Sequence, residues 1–245
     1  MKKSALIIGR QPLIESIRSG QAVDKILLQR NTGGESIDEI RQLAREHQIP
    51  VQVVPAEKLG SLTRANHQGV VAFAGLVTYM PLQEVIDQVV GAGAVPLFVM
   101  LDGITDVRNI GAIARSAWCT GAQALIIPDK GVGALNEEAM KSSSGALGLI
   151  NVCRVTSLLK AIDDLHLNGI RVFTSEMHAE KKVFELPLSG PCCIIMGSED
   201  KGVQAYLRKA ADEHFTIPMA AGFDSFNVSV AAGIILYEAM KHRLP

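Results

Sequence analysis

The sequence lacks a charge excess of either sign: 24 Lys and Arg stand against 25 Asp and Glu, a net of −1 at pH 7. That excludes a chain coated in positive charge for nucleic acid. A long hydrophobic run is missing too. The longest uncharged apolar stretch, Gln88 to Leu101, has 14 residues and holds two glycines and a proline, whereas a membrane span needs about 20 residues. A soluble protein without a membrane partner is expected. The 22 glycines and 10 prolines follow no period, which excludes collagen-like and low-complexity chains, and no internal repeat is visible. The apolar start, Ala5 to Ile8, ends at Gly9-Arg10. It is shorter than the roughly 7–15 apolar residues of a signal peptide and reads as a first buried strand.

Several chemical signatures are also absent. No GxxxxGK[ST] occurs, so there is no P-loop. No HExxH or paired Cys/His spacing occurs either, so no metal is expected. Gly131-Val132-Gly133 does not open a GxGxxG, which disfavours a nicotinamide enzyme. Cys119, Cys153, Cys192 and Cys193 show no CxxC spacing. The adjacent pair would point to opposite faces of a strand, so reduced thiols in a cytoplasmic protein are expected.

The composition, 48% hydrophobic and 20% charged, is that of a globular chain. Short β-branched runs alternate with amphipathic stretches nearly end to end, which predicts an α/β fold with a mostly parallel sheet covered on both faces. Strands are expected at 5–8, 25–28, 51–54, 70–76, 97–101, 124–127, 152–155, 170–174, 192–196 and 214–217. Helices are expected at 12–18, 36–47, 82–90, 109–120, 136–144, 158–167 and 227–242. Ser36 with Glu39 has capping-box spacing, and Pro50 follows that helix. Proline and glycine flank residues 80–95, which read as a linker between domains at 1–79 and 96–245. The first holds ten basic and seven acidic residues, net +3; residues 80–245 hold fourteen and eighteen, net −4.

Three segments of the second half carry more polar groups than the fold requires. Asn109 begins an Ala-rich helix with Arg115 nearly two turns on. The two lie about 120° apart around the axis, so one ligand reaches both only by wrapping the helix start, as a phosphate does. Gly197-Ser198-Glu199-Asp200-Lys201-Gly202 breaks a buried strand into a polar turn, with Gly197 open to close approach by a ligand. Ser225, Asn227 and Ser229 crowd one helix start near Gly222, where capping needs a single residue.

Asn109…Gly111-Ala112…Arg115, Gly197-Ser198-Glu199-Asp200-Lys201-Gly202 and Ile217-Pro218-Met219…Ser225-Phe226-Asn227-Val228-Ser229 resemble, in order and spacing, the motifs of the SpoU/TrmH family of the SPOUT superfamily. Its members are RNA ribose 2′-O-methyltransferases. Ile8-Gly9-Arg10-Gln11-Pro12-Leu13 and His67-Gln68-Gly69-Val70-Val71-Ala72 look like the subgroup with a small ribosomal-protein-like RNA-binding domain, which includes large-subunit rRNA guanosine methyltransferases. The resemblance implies a C-terminal trefoil knot, a homodimer packed through it, and RNA as partner. It also implies S-adenosylmethionine held by Gly197, Ile217 and Phe226, with Thr174 bordering the pocket. Asn109, Glu199, Ser225 and Asn227 are then the positioning groups. Arg115 is either the general base or, since arginine resists deprotonation, a phosphate ligand that stabilises charge on the 2′-oxygen. Phe226 replaces the family's usual Leu, and Thr174 to His178 departs from its small-residue pattern. A transfer RNA substrate and a non-catalytic ribosome-assembly role on the same fold are the alternatives.

With so neutral a chain, RNA affinity must depend on a few placed groups such as Arg10, Arg64 and Arg115. The expected plot of log K against log salt is therefore shallow, reporting few phosphate contacts. A steep slope in a filter-binding titration contradicts this reading.

Overall fold

The computed structural model describes residues 6–47, 49–133, 135–176, 179–220 and 225–244. The chain forms two compact units, one holding residues up to Thr78 with Leu135–Glu137, the other holding the remainder.

The first unit runs β1 (Leu6–Ile8), α1 (Arg10–Arg18), β2 (Val23–Gln29), α2 (Glu35–Glu46), β3 (Val51–Val54), α3 (Ala56–Leu62) and β4 (Val70–Ala74). Its sheet has the order β1-β4-β2-β3, antiparallel except for the β2–β3 pair. Strand alternation sorts its core. Ile26, Leu28, Val70 and Ala72 pack with Leu13, Ile17, Ile37 and Ile40 of α1 and α2. Leu27 and Val71 face the other way, onto Val54 and Leu59. The Ser36–Glu39 capping box does not form. Helix α2 starts one residue early, with Gly34 at φ 107° in the cap position and no side-chain cap. Helix α3, seven residues with one buried side chain, has too little periodicity to be visible in the sequence.

The second unit begins with α4 (Leu82–Gly91), inside the stretch expected as a linker. Leu82, Val85, Ile86 and Val89 of this helix are buried in the unit's main core. The glycine after it forms its stop. Gly93 takes φ 71°, its N–H donates to Val90 O, and that of Ala94 donates to Val89 O, which is a Schellman cap. There follow β5 (Leu97–Asp102), α5 (Val107–Cys119), β6 (Ala124–Pro128), α6 (Glu137–Ser142), β7 (Asn151–Val155), α7 (Leu158–Leu167) and β8 (Arg171–Ser175). After these come β9 (Lys181–Lys182), β10 (Cys192–Gly197), α8 (Ala205–Ala210), β11 (Glu213–Thr216) and α9 (Val228–Lys241).

The seven strands of this unit are all parallel, in the order β7-β6-β5-β10-β8-β11-β9. An α/β fold with an all-parallel C-terminal sheet is typical of SPOUT proteins. Every residue of β5 is buried, as its unbroken apolar run requires when helices cover both faces. Phe98 and Met100 pack with Ile195, Val172 and the apolar sides of α4, α7 and α8. On the other face α5 and α9 pack together and against the sheet. Cys119, Cys153, Cys192 and Cys193 are free thiols, and burial pushes Cys153 up to about 12. Among the described residues no helix is long and apolar enough to cross a membrane.

The sheet divides at its centre. From β5 the chain first builds outward through β6 and β7, then returns to build β8 to β11 on the other side, with β10 seated against β5. Register pairs Gly197 with Asp102, so both strands end level, and the crevice beyond such a point is where parallel α/β sheets bind ligands.

At the opposite edge Arg243 ties the chain's end to these two strands. Its guanidinium donates to Val95 O (2.8 Å), Pro96 O (3.0 Å), Leu188 O (2.9 Å) and Gly190 O (2.5 Å), the carbonyls just before β5 and β10. Arg243→Ala leaves these without their shared donor and is expected to cost roughly 1.5–3 kcal/mol of unfolding free energy. Arg243→Lys, a single-point donor, should recover less than half. Urea denaturation measures both.

Candidate active site

The site starts from a charge at the end of an apolar strand. Asp102 closes β5 at 2% exposure. Its carboxylate accepts from the backbone N–H of Gln204 (2.7 Å) and from Gln204 Nε2 (2.6 Å). This pins the far end of the turn that leaves β10. Within the turn, Ser198 O accepts from Gly202 N at 2.8 Å. The backbone folds so closely that a Cβ on Gly197 would stand 2.1 Å from the Gly202 carbonyl carbon and 2.2 Å from Val203 N. The sequence reading left Gly197 open for a ligand; its missing side chain is required first by the protein's own turn. Gly133 of the GxG is similarly committed, since a Cβ there would meet Thr105 O at 2.4 Å.

The turn presents Glu199 to two helix starts. Glu199 Oε1 accepts from Asn109 Nδ2 (3.3 Å), Asn227 Nδ2 (2.5 Å) and Val228 N (3.4 Å). Asn227 Nδ2 also reaches Asn109 Oδ1 (3.2 Å). On its other side Asn227 caps α9, where Oδ1 accepts from Ser229 N (3.0 Å) and Ser229 Oγ (2.6 Å). Three segments far apart in sequence thus meet at one carboxylate. Asn109 is not an N-cap. Asp106 takes that position, accepting from Arg108 N at 2.9 Å, and the Arg108 guanidinium beside it holds its carboxyl below the usual range. Asn109 sits within the first turn, free to face Glu199.

Beside this network lies a cavity of about 400 Å³ at the carboxyl ends of β8, β10 and β11, within the size range of small-molecule sites. Gly197, Glu199, Ile217, Ser225 and Phe226 line it, together with Ser175, Glu176 and Arg208. Asn109 and Asn227 join through Glu199. Thr174 does not line it. One residue too deep in β8, it is fully buried, and its Oγ1 has no hydrogen-bond partner among the described residues; Ser175 and Glu176 border the cavity in its place. Arg115 stands exposed on α5, outside the network, with no hydrogen bond or ion pair to a described residue. Gly222, Met177 and His178 lie outside the described residues. Asp102, Gln204 and Glu176 escaped the sequence reading, although an acidic residue ending a wholly apolar strand was a readable signal. Among the described residues no group of three or more His, Cys, Asp or Glu could hold a metal ion.

Asn227→Asp keeps the cap oxygen but sets a second carboxylate against Glu199. Repulsion raises the pair's proton affinity in the folded state, so the stability of this variant should fall as pH rises through the carboxylate range, by roughly 1–3 kcal/mol. Adding Glu199→Gln should remove that pH dependence. Thermal unfolding of both variants between acid and neutral pH checks it.

Comparison with known proteins places the chain in a family. The profile of the SpoU rRNA Methylase family matches residues 96–237, and that of the RNA 2′-O ribose methyltransferase substrate binding domain matches residues 6–80. A relative from Staphylococcus haemolyticus, named as a TrmH family tRNA/rRNA methyltransferase, is 34% identical over 238 residues, 97% of this chain and 96% of its own. One of the same name from Staphylococcus aureus is 34% identical over 241 residues, 98% and 97% of the two chains. The crystal structure of the SpoU methyltransferase AviRb from Streptomyces viridochromogenes in complex with AdoMet matches with a TM-score of 0.62 at 25% identity, covering 97% of this chain and 90% of its own. An RNA 2′-O ribose methyltransferase matches with a TM-score of 0.56 at 25% identity, covering 97% and 88%. With a family profile over more than half its length and relatives one-third identical nearly end to end, the chain belongs to the SpoU/TrmH family of RNA 2′-O-ribose methyltransferases.

Proposed function

We propose that this protein transfers a methyl group from S-adenosylmethionine to the 2′-hydroxyl of a guanosine ribose in large-subunit ribosomal RNA. The observation that carries the reading is the meeting of Asn109, Glu199 and Asn227 at the cavity beyond β10. The cavity's size suits the methyl donor. The carboxylate of Glu199, on its wall, suits the donor's positive charge. Gly197, Ile217 and Phe226, which line the cavity, would hold the donor. When bound, S-adenosylmethionine would supply a methyl group activated by its sulfonium for transfer to the ribose 2′-oxygen.

The protein's own share is alignment and charge. Glu199 fixes Asn109 and Asn227, and with them the starts of α5 and α9. Ser225, on the cavity wall, adds a hydroxyl that can orient a ligand. Arg115, exposed and unpaired among the described residues, binds the phosphate next to the target ribose and stabilises negative charge growing on its 2′-oxygen. Residues 1–79 receive the RNA and residues 96–245 perform the transfer. A trefoil knot and a homodimer packed through it belong to the same reading. Trp118 of α5 and Val230 and Tyr237 of α9 are exposed, large apolar side chains that a second copy would cover.

Mapping 2′-O-methyl groups in RNA from cells lacking the protein tests the substrate. The expected result is loss of one methylguanosine from large-subunit rRNA; loss from a transfer RNA instead overturns that choice. For Arg115, Arg115→Ala should lose roughly a hundredfold or more in turnover, and Arg115→Lys should retain part of it. Equal, complete loss in both with S-adenosylhomocysteine binding intact contradicts the charge role.

A further inference from the structure

Glu176 lines the cavity but takes no part in the Asn109–Glu199–Asn227 network. It directly follows β8, and its backbone N–H donates to Phe215 O at 2.7 Å, which anchors it against β11. One carboxylate oxygen is held on the protein side. Oε1 accepts from His214 Nδ1 at 2.8 Å and lies 3.7 Å from Arg208 Nε. Oε2 has no hydrogen-bond partner among the described residues, and the side chain is 27% exposed. An ionised carboxylate only accepts hydrogen bonds, so one oriented oxygen stands ready for a ligand's donor.

Charge narrows the choice of donor. The Arg208 guanidinium already balances Glu176, so its spare oxygen suits a neutral hydroxyl better than a second cation. Glu199, by contrast, is met among the described residues only by neutral amides and a backbone N–H. In dinucleotide-binding parallel sheets an acidic side chain likewise accepts from a nucleotide's ribose hydroxyl.

We propose that Glu176 is a specificity-determining residue that accepts from the ribose cis-diol of the methyl donor's nucleoside through Oε2, with His214 and Arg208 as its positioning residues. This rests on the S-adenosylmethionine reading above.

Isothermal titration of the full-length protein with S-adenosylhomocysteine, 5′-methylthioadenosine and 2′,3′-dideoxy-5′-methylthioadenosine tests it. The unaltered protein should bind the first two and lose about tenfold or more for the dideoxy ligand. Glu176→Gln should weaken the first two by the same factor and leave the dideoxy ligand unchanged. His214→Ala should weaken the diol ligands less, and add nothing in the double variant with Glu176→Gln.

Full-strength binding of the dideoxy ligand by the unaltered protein overturns the proposal without any variant. So does a Glu176→Gln protein that loses only S-adenosylhomocysteine, which would place the amino-acid end at Glu176. An unaltered protein that binds none of the three overturns the cofactor reading itself, and this proposal with it.

Discussion

The acceptor oxygen of Glu199 is the contact on which the site depends. It gathers the amides of Asn109 and Asn227 and the first N–H of α9, groups carried by two helices and a strand-end turn. Each donor alone is an ordinary polar group at a helix start, and each would find water if the carboxylate were elsewhere. Shared among them, the carboxylate sets the approach of α5 to α9 and the direction in which both present their first turns. A charged acceptor strengthens each of these bonds relative to a neutral one.

Glu199 can do this only because the turn carrying it is rigid. Gly197 has no room for a side chain against the returning backbone, and buried Asp102 holds Gln204 through both main chain and side chain. The level ends of β5 and β10 put those two anchors next to each other. At the other edge of the sheet, the Arg243 guanidinium bonds the loops that lead into the same two strands. The central strand pair is thus fastened at both ends, and the cavity opens at the end where polar groups converge.

Much of this was legible beforehand, for reasons that differ by element. Helix α7 was readable to the residue because its apolar side is continuous and Ser157 caps it. The parallel sheet followed from strands with no polar face. Capping was legible only in part. Asn227 caps α9 as its position implied, but Asp106 displaced Asn109 and Gly34 displaced Ser36, since several residues near a helix start compete and packing selects among them. The helix in 82–91 was visible while its burial was not, because whether a solitary amphipathic helix covers a sheet depends on strands far along the chain. Thr174 was misplaced by one residue, the smallest slip that moves a side chain from cavity to core in an alternating strand. Glu176, Arg208 and His214 meet only through the pairing of β8 with β11, which no local spacing encodes.

The most direct test of the account is transfer of labelled methyl from S-adenosylmethionine to RNA by the purified protein, followed by nuclease digestion to locate the label. The account predicts label on the ribose 2′-oxygen with the unaltered protein, and none with a folded Glu199→Ala protein. Unaltered protein that binds RNA yet leaves it unlabelled would contradict catalysis and leave a binding protein on a methyltransferase fold.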